Sequence, residues 1–189
     1  MKKGIRCALL LAITIVLVAC QQKLTLKDIV ECDGNVVFQH DKIIRDAKNY
    51  YEITIGKDWK RELFVDQQQS RIYAADTTKN YSASFLIDVT RFDGRIVLDS
   101  TFQKNIISQI KSLPRSYVIK EGFIEFQEQP AYSVFSFQKT DTAILYQIQC
   151  YVAAQDHYFL LSSNIHGNQN LSNNLCESIS IFNSLNLIP

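Results

Sequence analysis

Residues 81–114 read YSASFLIDVTRFDGRIVLDSTFQKNIISQIKSLP, and the apolar period changes inside this stretch. In the first half Tyr81, Ala83, Phe85, Ile87 and Val89 alternate with Ser82, Ser84, Asp88 and Thr90, with Leu86 the one apolar exception. A period of two is that of a strand with one face on a core. In the second half Leu98, Phe102, Ile106 and Ile110 recur every fourth residue, with Ile107 and Leu113 beside the same stripe. That spacing gives an amphipathic helix of about four turns. Ser100 and Gln103 have capping-box spacing at its start, and Pro114 ends it.

Strand patterns lie on both sides. Upstream, Tyr51, Ile53 and Ile55 alternate with Glu52 and Thr54, then Gly56-Lys57-Asp58 breaks the run before Trp59. A short strand follows at 71–75. Downstream, strands at 117–127, 131–138, 143–153 and 158–164 are separated by Glu128-Gln129-Pro130, Thr140-Asp141 and Gln155-Asp156. Connections that short make antiparallel neighbours, a meander. Leu171, Leu175, Ile179 and Phe182 then give a closing helix. Strands and helices that segregate along the chain indicate an α+β domain. The expectation is one domain over 47–189, an antiparallel β-sheet of about six strands flanked by helices.

The N-terminus has a different character. Lys2, Lys3 and Arg6 precede a nearly unbroken apolar run from 8 to 19. Its length suits a signal peptide and is short of the ~20 residues of a bilayer span. The run ends Leu17-Val18-Ala19-Cys20, followed at once by Gln21-Gln22-Lys23. This resembles the lipobox of bacterial lipoproteins. The resemblance implies cleavage between Ala19 and Cys20 and a covalent lipid on Cys20. Gln21 is not the Asp that holds enterobacterial lipoproteins at the inner membrane, which implies the outer membrane, facing the periplasm. Residues 1–19 are then the signal peptide, and 20–46, polar and mixed with an Asp33-Gly34-Asn35 turn and a short strand at 36–38, a lipidated tether.

The whole chain has 189 residues, 47% of them hydrophobic and 21% charged, enough to bury a full core. Removing 1–19 takes away three basic residues and no acid, which leaves a formal charge of −2. No basic stripe points to nucleic acid. Of five cysteines, Cys32, Cys150 and Cys176 remain inside the domain, so at most one internal disulfide forms. Cys150 with Cys176 is one candidate pair in an oxidising compartment.

Few constellations suggest chemistry. Cys150 and His157 invite a nucleophile–base reading. However, Ile144, Tyr146, Ile148, Cys150 and Val152 share the apolar face of one strand, where cysteine serves as a small core residue. His40, His157 and His166 are too scattered to form a metal set, and no Cys-x-x-Cys pair occurs. Asp88 and Asp93 could flank a cleft, but both read rather as solvent-facing or turn residues. The six glycines make no phosphate loop. Tyrosines fall largely on strands. Tyr151 lies opposite Cys150, beside Gln147 and Gln149, and the three make a candidate interaction surface.

Tyr51-Glu52-Ile53-Thr54-Ile55 followed by Trp59, the long strand before a helix at 98–113, the meander, and the ending Ile181-Phe182-Asn183-Ser184-Leu185 together resemble the Mog/PsbP/DcrB-like fold family. Gly56 stands where that family often has Pro, and Leu185 where it often has Phe. The resemblance implies an α-β-α sandwich and a binding or assembly-assisting domain with no shared catalytic residues. The expected function is thus a non-enzymatic envelope lipoprotein without cofactor, held on a membrane and binding a protein partner. The alternative is a small-ligand-binding or hydrolytic lipoprotein with a cleft between sheet and helix.

Overall fold

A computed structural model describes residues 24–32, 42–80 and 84–188. The lipobox at Leu17, Val18, Ala19 and Cys20, the expected strand at 36–38, His40 and Tyr81 lie outside the described residues. The described chain runs α1 (Leu26–Val30), β1 (Lys42–Arg45), β2 (Tyr51–Ile55), β3 (Lys60–Val65), β4 (Gln69–Ala75), β5 (Phe85–Asp93) and α2 (Ser100–Ser112). It continues β6 (Ser116–Phe126), β7 (Gln129–Lys139), β8 (Ile144–Ala153), β9 (His157–His166), α3 (Leu171–Asn183) and β10 (Asn186–Leu187).

Seven strands form one antiparallel sheet in the order β3-β4-β5-β9-β8-β7-β6. Hairpins build each half. Helix α2 carries the chain from β5 to the far edge, and the meander returns until β9 pairs with β5, from Phe85 opposite Ile165 to Asp93 opposite His157. A second sheet has the order β1-β2-β10. The α+β class agrees with expectation, but the described residues hold ten strands in two sheets rather than about six in one.

The larger core lies between the two sheets. Ile72, Phe85, Ile87, Val89, Ile148, Leu161 and Ile165 on the large sheet have no exposed surface, and neither do Tyr51, Ile53 and Ile55 on the small one. Each such side chain contributes about 1.5–3 kcal/mol by leaving water. Tyr51 also needs a partner for its hydroxyl, which donates to the Val89 carbonyl at 2.6 Å. Helices α1 and α3 complete this layer.

Trp59 sits beneath the sheet with its ring edge-on to Phe85, centroids 5.0 Å apart. Its amide donates to the Gly56 carbonyl at 3.2 Å. A Cβ on Gly56 would lie 2.7 Å from Trp59 Cδ1, so this turn requires a residue without one.

Helix α2 covers part of the opposite face. Ile106 and Ile110 pack with Leu98, Phe102 and Ile107 against Tyr132, Val134, Val118 and Tyr151. Its N-cap is Asp99, whose carboxylate accepts from the Thr101 and Phe102 amides at 2.9 and 2.8 Å. The expected Ser100/Gln103 capping box is one residue out of phase: Gln103 donates instead to the Glu121 carboxylate at 2.8 Å.

The tether reading of 20–46 differs from the structure over two stretches. Residues 42–45 are β1, and residues 26–30 are α1, with Leu26, Ile29 and Val30 buried. Thr25 and Asp28 form a capping box. Cys32 is bonded to Cys176 on α3, 144 residues away, with Cα atoms 5.3 Å apart. The disulfide therefore joins Cys32 and Cys176 rather than Cys150 and Cys176, and Cys150 is a free thiol within the core.

Candidate interaction surface

The strand registers define the sheet face opposite the larger core. One row across it runs Tyr73, Asp88, Ser162, Gln149, Val134. A second runs Arg71, Thr90, Leu160, Tyr151, Tyr132. A third runs Leu86, Asn164, Gln147, Ser136. The first two rows turn from largely polar on β4 and β5 to apolar on β7, where α2 lies over them, and the third ends on polar Ser136. A strip of hydrogen-bonding side chains is thus left beside the helix.

Within that strip Arg71 grips Asp88 with two bonds, Nε to Oδ1 at 2.8 Å and Nη2 to Oδ2 closer still. The Thr90 hydroxyl donates to the same carboxylate at 2.9 Å. The Arg71 guanidinium also lies 5.5 Å from the Tyr73 ring and 5.9 Å from that of Phe64. Gln147 donates to the Asn164 side-chain carbonyl at 3.1 Å. These groups hold one another in place, and the half-buried Arg71, Gln147 and Asn164 retain spare donors and acceptors toward solvent.

The structure brings Gln147 and Gln149 together as half-buried members of this strip. Tyr151 shares the face but does not stand free. Its ring meets Phe102 of α2 edge-on at 5.1 Å, and burial pushes its hydroxyl up to about 12. It forms the wall where the strip runs under the helix. Arg71, Ser162 and Asn164 were missed in the sequence. Their signal was the polar phase of β4 and β9, legible only once the register sets those phases side by side.

The other candidates separate. Cys150 is fully buried opposite Leu161, and burial pushes its thiol up to about 12. His157 lies four residues from Leu161 on β9, ~13 Å along an antiparallel strand. Its Nδ1 is bonded to the adjacent Asp156 carboxylate at 2.6 Å. No nucleophile–base pair exists there. His157 and His166 occupy opposite ends of β9. Among the described residues no group of three His, Cys, Asp or Glu could hold a metal ion. Asp93 is engaged by Arg91 and, at 3.9 Å, by Lys48.

The space between α2 and the sheet is filled by Ile106, Ile110, Tyr132 and Val134, all buried. The expected cleft between sheet and helix is therefore closed by side chains at that place. A separate open groove of about 690 Å³ lies at the β3 end, lined by Lys42, Lys60 and Arg61 with Trp59, Leu63 and Tyr73. Among the described residues no helix is long and apolar enough to cross a membrane.

No family model matches the chain, and no curated protein matches it by sequence. Solved structures do. A Pseudomonas aeruginosa protein of unknown function is similar over 79% of this chain and 99% of its own, with 14% identity and a TM-score of 0.52. LpqN, involved in cell envelope biogenesis of Mycobacterium tuberculosis, is similar over 88% of this chain and 99% of its own, with 13% identity and a TM-score of 0.51. The solution structure of cyanobacterial PsbP from Synechocystis is similar over 82% and 96%, with 10% identity and a TM-score of 0.50. At these identities the likeness is one of fold, and the fold is PsbP-like.

Proposed function

We propose that this chain is an envelope lipoprotein, tethered by lipid on Cys20 at the outer membrane facing the periplasm, whose folded domain is a non-enzymatic module that binds a protein partner or assists assembly of a complex. The observation that carries the binding role is the open strip beside α2. Arg71, Asp88, Asn164, Gln147 and Gln149 present ordered polar groups there on the sheet. The Cys32–Cys176 bond supports export, because structural disulfides persist in oxidising compartments. LpqN, which shares the fold, is involved in envelope biogenesis, and that supports the same placement.

The binding role is tested by a photo-crosslinking residue at Gln149 in the membrane-bound protein, with Lys111 on the exposed side of α2 as control. A discrete crosslinked protein at position 149 and none at 111 is the expected outcome. Equal or absent crosslinking at both positions would remove the strip as the binding surface.

A further inference from the structure

Strand β3 closes one end of the seven-stranded sheet, and its outer side is unpaired among the described residues. Leu63, Phe64 and Val65 are 40%, 47% and 53% exposed. The bond from the Asp66 amide to the Gln69 carbonyl, 3.1 Å, sets the phase of the ladder. Lys60, Glu62 and Phe64 then bond inward to β4, while Arg61, Leu63 and Val65 turn their amide and carbonyl groups outward.

The opposite edge is guarded. The β6–β7 register shifts between Val118 and Lys120, and α1 lies against β6, where Lys120 meets Glu31 at 3.4 Å. Bulges and covering elements are the usual protection of sheet edges. Strand β3 has no bulge, no proline and, among the described residues, no covering element.

The ends of β3 carry opposite charge. Lys60 and Arg61 open the strand, and Asp66 follows its last residue. A strand of this polarity complements itself when antiparallel. Centring the pair on Leu63 sets Leu63 on Leu63, Arg61 opposite Val65, Glu62 opposite Phe64, and Lys60 opposite Asp66 of the second copy. All three outward residues then exchange both of their main-chain bonds with the other strand. The adjacent registers are worse. Centring on Glu62 opposes two carboxylates at the axis, and centring on Phe64 sets Glu62 against Asp66; like charges directly opposite are destabilising.

We infer that β3 is a dimerisation edge, pairing antiparallel with β3 of a second copy of this chain about an axis at Leu63, so that two seven-stranded sheets join into one. The test uses the mature chain, residues 20–189 carrying Cys20→Ser, in light scattering and sedimentation equilibrium over a concentration series. The wild-type strand gives a concentration-dependent dimer. Leu63→Lys and Leu63→Glu each weaken it at least tenfold, because each places two like charges at the axis. An equal mixture of the two variants recovers the dimer, which requires position 63 to meet position 63. A second measurement does not depend on those variants folding well. Leu63→Cys in a chain lacking Cys7 and Cys20 gives a crosslinked dimer with a short bifunctional thiol reagent, whereas Tyr117→Cys on the β6 edge does not. A monomer at all concentrations, a dimer indifferent to both charges, a mixture that stays monomeric, or a Leu63→Cys crosslink only to a different protein would each overturn the inference.

Discussion

Replacing both Cys32 and Cys176 with serine tests how the N-terminal segment is held. The bond closes a loop of 144 residues. Chain entropy alone assigns such a loop about 5 kcal/mol of destabilisation to the unfolded state, and measured values commonly reach about 2–4 kcal/mol. The same substitution frees α1, whose Leu26, Ile29 and Val30 are buried against the main core. We expect a loss of about 3 kcal/mol. With a urea dependence of roughly 1–3 kcal/mol per molar, the midpoint falls by about 1–3 M. The assay is equilibrium urea unfolding of residues 20–189 carrying Cys20→Ser, exported behind a signal peptide whose removal needs no lipid, followed by far-ultraviolet circular dichroism, with and without the two serines. Reductant added to the parent protein should reproduce the serine variant. Coincident midpoints, or free thiols at both positions in exported protein, would refute the pairing and the docking of α1.

Three further outcomes follow from the packing. Gly56→Ala forces a methyl against the indole of the single tryptophan, Trp59, so it should cost about 1–3 kcal/mol and shift the tryptophan emission, read in one fluorescence titration. Cys150, with its thiol pushed up to about 12 by burial, should not react with an aromatic disulfide reagent at pH 8 in the native protein and should react on unfolding. Burial raises the Glu177 carboxyl above its ordinary value more than Lys79 lowers it, so the folded state disfavours its charged form. That penalty is present above the raised pKa and absent below the ordinary glutamate value. Glu177→Gln should therefore raise the urea midpoint at pH 7 and leave it unchanged near pH 4.

Much of the fold was legible because its longest elements have clean periods. Tyr51, Ile53 and Ile55 do all face the core, and Leu98, Phe102, Ile106 and Ile110 do all face the sheet. Four elements escaped for identifiable reasons. In β1, Ile43 and Ile44 are adjacent apolar residues between two basic ones, so no alternation shows. Helix α1 has five residues, too few to show a helical period. In β3, Leu63, Phe64 and Val65 are consecutive apolar residues on an exposed edge, so no alternation arises. Strand β10 is two residues long. The disulfide partner was invisible because Cys32 and Cys176 meet only when α1 and α3 pack together.

The candidate surface was legible in part for a related reason. Alternation on β8 separates Gln147, Gln149 and Tyr151 from the core face, as found. It does not reveal that α2 reaches over Tyr151 and stops before Gln147. Nor can one strand show that Asp88, Ser162 and Asn164 lie in the same rows as the glutamines, since that depends on the registers of two strand pairs.

The lipid on Cys20 anchors the proposed role, and its most direct measurement is mass spectrometry of the N-terminal peptide from the membrane fraction, paired with the same measurement on a Cys20→Ser chain. A mature chain beginning at a diacylglycerol-modified Cys20 is expected from the parent, and a chain still joined to residues 1–19 when Cys20 is serine. An unmodified Cys20 still joined to residues 1–19 in the parent, or a Cys20→Ser chain cleaved before residue 20 as the parent is, would contradict the anchor.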